Sequence, residues 1–496
     1  MSTPLDKLDL QELKKNKSQV KKLHNAKLVV STAQIGLDLS LLSEKALKVI
    51  KTLQHHNFKA YFVGGCIRDL LLGKKPKDFD VSTDATPEKV RSLFQNSRII
   101  GRRFKIVHVV FGNEIIEVTT FRSNKAEAVV AKQKIGKNST RVSDKSGMLL
   151  RDNVYGKNIV EDSLRRDFTI NALYLDPIKQ EIYDYNGGLY DMHEKVIDII
   201  GDPETRYSED PVRMIRALRF SAKLGFKISK RSSDPIKKLS SKLLEVSNAR
   251  MFEEVNKLFI TGHGLASFKK LLDYHIFELL FPATQHLITQ SNFTNFIEYA
   301  LNSSDKRYQN NQPNMPHFLY SVILWNVFYE KYFIYTEKMN TFVSSINETN
   351  LVNSILDGIF EAQEKITAMP FVVSNSIRSL WKTQIALEQC DRSNLQQVES
   401  IKGKAIFRAA YDFLTLRARF DPFLKDSVDF WTPFYEKSKA LSIKRRIERE
   451  QQKKTSKKKG KKKFTDGFAG EEKFSRKRKK ALEKARAWRA SMDLDI

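Results

Sequence analysis

Apolar residues recur at helical spacing over 43–56 (SEKALKVIKTLQHH), with Leu47, Ile50 and Leu53 on one side, which predicts a helix. The period then changes. "AYFVGG" is a β-rich run ending at Gly64-Gly65, "CIRDLLLG" a short helix closed by Gly73, and "DFDVST" a second strand. Thr86 as N-cap, Pro87 at N1 and Glu88 in the first turn start another helix. Two β-rich runs, "IVHVVF" and "EIIEVTTF", flank Gly112-Asn113 and predict a hairpin. Periodicity is lost over 123–158, a long loop rich in Lys, Ser, Gly and Asn, of the kind that serves as a lid in enzymes. "EDSLRRDFTINALYL" returns to helix, and "IYDYNGGLYDMHEKVIDII" reads as strand, turn and strand. From about 203 strand signals fade, and helical segments run to about 435. The most apolar run, "FLYSVILWNVFY" at 318–329, is too short to span a bilayer and reads as a buried helix. No internal repeat is visible.

The pattern predicts an α+β chain. A polar extension (1–35) precedes a mixed-sheet region (36–200), two helical regions (201–260 and 261–440) and a lysine-rich tail (441–496), disordered when free. The length of 496 residues is too great for one core, and 41% hydrophobic content is enough to bury several.

Charge narrows the partner. The chain holds 86 basic and 58 acidic residues, a net of +28. Residues 441–496 contribute 21 basic and 8 acidic, or +13, so the remainder still carries +15. Such an excess points to a polyanion, nucleic acid before membrane. Two distant cysteines, Cys66 and Cys390, make no disulfide framework or Cys-type zinc site and fit a reducing compartment. The N-terminus lacks the apolar core of a secretory signal, so a cytoplasmic protein is expected. The nine histidines show no ligand spacing, and His108 alternates within a strand as a structural residue would.

The candidate chemistry lies in the first half. Asp78 and Asp80 are two apart in a predicted strand, so both face one way, roughly 7 Å apart at Cα. Alone, such a pair is more often a solvated strand end than a metal site. Gly64-Gly65 ahead of it lets a backbone approach phosphate, and Arg68 falls in the first turn of the following helix. Glu117 sits in the apolar strand "EIIEVTTF", where an acid is costly unless paired or metal-bound. Asp162 fits an N-cap, and Asp167 and Asn171 are i,i+4 on the helix that would follow. Asp210 and Pro211 fit N-cap and N1, and Arg213, Arg216 and Arg219 recur every three residues. A capped helix with a solvated basic face also explains that stretch.

"VGGCIRDLLLG", "DFDVST", "EDSLRRDFTINAL" and "EDPVRMIRALRFSAKLGF", in this order over 60–230, resemble the class II nucleotidyltransferases of the polymerase β superfamily. That branch contains the tRNA CCA-adding enzymes and bacterial poly(A) polymerases. The resemblance implies a nucleotidyltransferase head, helical neck and body domains that bind RNA, and nucleotidyl transfer to an RNA 3′-OH. Asp78, Asp80 and Glu117 would be catalytic, with Asp78 and Asp80 holding two Mg2+ ions (or Mn2+). Gly64, Gly65, Arg68, Arg165, Arg166, Asp167 and Asn171 would meet the nucleotide, an Arg at phosphate and Asp167 and Asn171 at the ribose. Asp210 and Arg213 would read the base, with Arg216 and Arg219 facing the triphosphate or a neighbouring base.

"IIGRRFKIVHVVFG" (99–112) and "AIFRAAYDFLTLRA" (405–418) are more similar to the poly(A) polymerase side, which implies ATP as substrate. CCA addition to tRNA and a catalytically dead RNA-binding module are the alternatives. Lys457, Lys458, Lys461, Lys462, Arg476 and Arg478 in the tail would hold RNA by phosphate neutralisation, without sequence preference.

Overall fold

The computed structural model describes residues 3–22, 27–101, 105–122, 155–342, 348–444 and 448. Residues 123–154 of the predicted 123–158 loop and all the tail residues just named lie outside them. The chain divides into two compact units, residues 1–378 and 379–496.

The first unit carries an eight-stranded sheet. Its strands are β1 (Leu28–Ser31), β2 (Ala60–Val63), β3 (Asp80–Thr83), β4 (Ser97–Ile100), β5 (Ile106–Phe111), β6 (Glu114–Thr120), β7 (Leu173–Asp176) and β8 (Glu181–Asp184), in the order β1-β8-β7-β2-β3-β6-β5-β4. β3 and β6 run parallel, and the other neighbours pair antiparallel. One row of Cα partners crosses six strands: Tyr183, Tyr174, Val63, Asp80, Glu117 and His108. Paired residues share a face of a sheet, so the acids continue a row of apolar and aromatic side chains. Val63, Tyr174 and Tyr183 pack with Phe121, Ile159 and Tyr185.

Several local expectations hold. The helix Glu44–His55 buries Ala46, Val49, Ile50 and Leu53. Thr86 caps Pro87–Leu93, its hydroxyl accepting from the Lys89 N–H. Gly112, at φ +64°, turns the β5–β6 hairpin.

Others are corrected. The described residues of the polar 1–35 region carry structure: the helix Leu10–Lys22 buries Leu13, and β1 adds to the sheet edge beside β8. β3 begins at Asp80, so Asp78 lies just before the strand. Residues 159–176 are a short helix (Ile159–Leu164), a 3-10 turn (Thr169–Asn171) and β7, because local backbone groups find distant partners. Thr169 N–H donates to Asp198 O, and Ile200 N–H to Asp167 O, which pulls the chain out of the helical path. Within 181–197 the short helix Gly188–His193 separates β8 from the strand Val196–Ile197.

Beyond the sheet this unit is mainly helical: Pro203–Glu209, Val212–Leu224, Asn248–Phe259, Gly264–Asp273, Ser291–Gln309, Pro316–Phe342 and Glu348–Glu364 are its longer elements, with Lys230–Leu239 between the second and third. Phe268, Phe277, Phe281 and Tyr320 pack edge-on or tilted, one against the next, through their core, with ring centroids 4.9, 5.1 and 5.8 Å apart. In the second unit, Phe407–Arg417 buries Phe407, Ala410, Tyr411 and Leu414, the four positions at helical spacing in "AIFRAAYDFLTLRA". They pack with Leu387, Val398, Ile401, Leu424 and Trp431. No helix among the described residues is long and apolar enough to cross a membrane.

Candidate active site

Asp80 is placed by β3 and Glu117 by β6, as direct Cα partners. Phe79 is buried against Phe62, with ring centroids 5.7 Å apart, and Asp78, just ahead of the strand, lies near enough to Asp80 to bear on its charge. Burial pushes Asp80 up to about 6, and Glu117 and Asp78 push the same way, while Arg166 opposes them. Negative charge there is under-compensated. Glu117 is half exposed, and its Oε1 lies 3.5 Å from His108 Nε2. Among the described residues no three Asp, Glu, His or Cys side chains converge to hold a metal ion. The acids therefore form an open oxygen site and not a closed cage. Such a donor set fits Mg2+, which takes one or two carboxylates and completes its shell with water and substrate phosphates.

Gly64 sits at φ +79°, ψ −127°, a conformation open essentially to glycine, and it turns β2 into the helix Gly65–Leu71. Arg68, on that helix, is buried and donates from Nη1 to Asn171 Oδ1 at 2.8 Å. Asn171 Nδ2 donates to Asp167 Oδ1 at 3.2 Å. Asp167 Oδ2 accepts from Arg216 Nε (2.9 Å) and Nη2 (2.5 Å). Burial would raise Asp167, but the Arg216 guanidinium holds it down at about 2. Arg68, Asn171, Asp167 and Arg216 are thus one chain of polar contacts. Phe220 lies beside it, with the guanidinium carbons of Arg68, Arg216 and Arg219 at 5.4, 5.5 and 4.7 Å from its ring centroid.

Asp162 is not a cap; Asn158 caps that helix. Its buried carboxylate accepts from Tyr174 Oη (2.7 Å), Arg166 Nη2 (3.1 Å), Ser82 Oγ (3.3 Å) and the Arg122 N–H (3.3 Å). Arg166 Nε also donates to Tyr174 Oη at 3.0 Å. This hub fixes Arg166 beside Asp80. Its Tyr and Ser members lie on β7 and β3, too far apart in sequence for local pattern to join them.

Asp210 is the C-cap of Pro203–Glu209, and its side chain does not cap Val212–Leu224. Asp210 Oδ2 accepts from Arg250 Nη2 at 2.9 Å, while Oδ1 is buried with no hydrogen-bond partner. Arg213 turns elsewhere: Nη1 donates to Arg206 O (2.7 Å) and Glu209 Oε2 (3.2 Å). Asp210 and Arg213 are near in sequence but committed to different partners. Arg206 adds Nη2 bonds to the carbonyls of Arg165 (2.8 Å) and Arg166 (3.0 Å). Burial, and then the closeness of Arg213, lowers Arg206. Arg219 Nε lies 4.0 Å from Glu254 Oε2, and neither atom has a hydrogen-bond partner. Arg206, Arg250 and Glu254 were not legible as site residues. Arg206 stands three before Glu209 on one helix, a pairing distance, but Arg250 is 40 residues from Asp210.

Residues 60–198 match a family model described as the poly A polymerase head domain. Residues 225–288 match "probable RNA and SrmB- binding site of polymerase A", and 345–466 match the polymerase A arginine-rich C-terminus. Poly(A) polymerase I of Escherichia coli O6:H1 is 39% identical over 411 residues, 82% of this chain and 85% of that one. A CCA-adding enzyme of Bacillus pumilus is 34% identical over 261 residues, 53% of this chain and 60% of its own. The fold is similar to the crystal structure of the Bacillus stearothermophilus CCA-adding enzyme in complex with CTP. Its TM-score is 0.52 at 22% identity, over 79% of this chain and 82% of that one.

Proposed function

The chain belongs to the bacterial poly(A) polymerase I family, and from that premise we propose how its residues bind ATP and an RNA 3′ end. It is an adenylyltransferase with RNA and a nucleotide as substrates. The product is a template-independent run of A residues on the RNA 3′-OH, with pyrophosphate released. The cytoplasm, where both cysteines stay reduced, is its place of action.

Asp78 and Asp80 hold Mg2+, or Mn2+ in its place, with Glu117 as the third acid of the site. When bound, two such ions lower the pKa of the RNA hydroxyl and neutralise the leaving pyrophosphate. The protein's own part is positioning and charge. Arg166, fixed by Asp162 and Tyr174, faces Asp80 and the transferring phosphate. Gly64 and Gly65 let the backbone come close to the nucleotide, and Arg68 orients Asn171. Arg165 meets the triphosphate and Arg213 the base, with Arg206 holding the turn between them. Asp167 and Asn171 bind the ribose hydroxyls, which disfavours deoxynucleotides, since the polar pair would be left without its partner.

The unpartnered Asp210 Oδ1 accepts from the amino group of adenine. Cytosine also presents an amino group, so Asp210 alone does not choose ATP over CTP. Arg216 and Arg219, at the Phe220 ring, complete the basic wall. The tail from 441 onward binds RNA through its phosphates.

The observation that carries this reading is Asp80: a carboxylate beside two others, with a guanidinium instead of a full set of counter-charges nearby. Incubation with a generic 3′-OH RNA and each nucleotide alone tests it. Long tails from ATP, and none from CTP, are expected. Addition of C to a tRNA lacking its CCA end would overturn it.

A further inference from the structure

Lys77 immediately precedes Asp78, and its ammonium reaches a helix 231 positions away in sequence. Lys77 Nζ donates to Tyr308 Oη at 3.0 Å and lies 4.4 Å from the Tyr308 ring centroid. The two partners are held very differently. Tyr308 ends the helix Ser291–Gln309 on a fixed base. Asp305, one turn earlier, accepts from the N–H groups of Gly264 (2.7 Å) and Leu265 (3.0 Å), tying that helix to the start of Gly264–Asp273. Gly262, at φ +88°, lies under the ring. A Cβ there would come within 2.4 Å of Tyr308 Cδ1, so the ring packs directly on backbone. Lys77 is exposed and carries a long, freely rotating stem.

Cations also cluster around Phe220. Arg68 and Arg219 flank Phe220. The Lys223 ammonium, lowered by burial, also feels Arg68, Arg219 and Lys74, against the single opposing carboxylate of Asp69. His263, next to Gly262, is pushed down to about 4 by burial and by Arg219 and Lys223. Arg68, Arg219 and Lys223 repel one another, while His263 stays neutral beside them.

We propose that Lys77 and Tyr308 form a subsite for the growing RNA strand, in which Tyr308 stacks on a base behind the reacting 3′ end and Lys77 swings from the ring onto the adjoining phosphate. The exchange is favourable in both parts. A cation beside a partly exposed ring is the weaker contact and base stacking the stronger. Lys77 gains a full negative partner in place of a hydroxyl. Stacking accepts any base, as an enzyme that extends generic 3′ ends requires. The subsite rests on the adenylyltransferase reading; the competing role for the same contact is a latch that merely fixes the loop carrying Asp78.

Two measurements separate them. Equilibrium binding of a fluorescent oligoribonucleotide, without ATP, reads the subsite even if no transfer occurs. AMP incorporation with RNA titrated then splits KM from kcat. Tyr308→Ala is expected to weaken RNA binding and raise the RNA KM about tenfold, with the ATP KM and kcat at saturating RNA held within about twofold. Tyr308→Phe keeps the ring and stays near wild type. Lys77→Ala weakens binding less and lowers its salt dependence by about one counterion. Thermal melts of all three check folding. A latch predicts a fall in kcat with RNA affinity unchanged, or equal damage from Tyr308→Phe and Tyr308→Ala, and either result overturns the proposal. Wild-type protein that binds RNA through Tyr308 but incorporates no AMP would sink the adenylyltransferase reading instead.

Discussion

Asp80, partly buried, and Asp198, buried, are both aspartates of the sheet-bearing unit, yet Asp80 is pushed up to about 6 while Asp198 is held below its ordinary range. The difference lies in their neighbours. Asp198 accepts from Ser229 Oγ (2.6 Å), Ser232 Oγ (2.9 Å) and Arg231 Nε (2.9 Å), and Lys17 Nζ stands 3.4 Å away. Asp80 has Glu117 and Asp78 beside it, with Arg166 in opposition. A fold stabilises a buried charge by supplying partners, and it leaves one under-supplied where something else will bring the counter-charge. The Asp198 network belongs to the architecture and the Asp80 site to the chemistry.

Substituting each site tests that division, and the largest effect is expected at Asp80. Asp80→Asn should lower AMP incorporation about a thousandfold or more. Its melting temperature should hold or rise, because the change removes one of three crowded negative charges. In the wild type, Mg2+ should raise the melting temperature, and in Asp80→Asn it should not. A variant that melts early and responds to Mg2+ as before would place Asp80 with the architecture.

Lys17→Met is the converse. Lys17 bridges Asp191 and Asp198 from the N-terminal helix, and Asp191 also accepts from Thr169 Oγ1 at 2.6 Å. Loss of the ammonium leaves two buried carboxylates short of a partner and should cost about 3 kcal/mol in denaturant unfolding. Asp191→Asn in the same chain should recover part of that loss. Unaltered stability in Lys17→Met would mean the bridge does not hold the N-terminal helix in solution.

The two regions were unequally legible in the sequence. Gly64-Gly65, Asp78 and Asp80 stand in short motifs with strong turn and strand signals, so their neighbourhood could be anticipated. Lys17 stood in a lysine-rich stretch without a clear apolar face. The burial of Leu28 and Val30 after it depends on β1 pairing with β8, more than 150 residues away, which no local period records. The same limit hid Asp162, where an acid near the start of a helix looks like a cap until Tyr174 and Arg166 arrive from elsewhere. Local signals mark where chain direction changes; they do not say which distant group satisfies a buried charge.

Asp210 falls between the two extremes, with one oxygen paired to Arg250 and the other buried without a partner. Asp210→Ala should raise the ATP KM about tenfold, the effect of one lost charged hydrogen bond, and shift melting little. A drop in melting temperature with the KM unchanged would assign Asp210 to the architecture.

The smallest expected effect is in pH dependence, and it lies wholly within the Lys17 network. Lys17 is shared by two carboxylates, and Arg231 serves Asp198. Burial therefore pushes Asp191 up to about 6 despite Lys17, while Asp198, against its own burial, is held below 3.8 by Lys17 and Arg231. The signs oppose. Between about pH 4 and 6 the folded state keeps a proton on Asp191 that the unfolded chain has released, so this group makes stability fall as pH rises through that window. For Asp198 the folded state releases the proton first, so its contribution is present above about pH 4 and lost as pH falls below it. Unfolding free energies measured from pH 3 to 7.5 should lose the first slope in Asp191→Asn and the second in Asp198→Asn. If Asp191→Asn leaves the pH 4–6 profile as it was, the shared ammonium neutralises both carboxylates, and Asp191 differs from Asp80 more than burial alone allows.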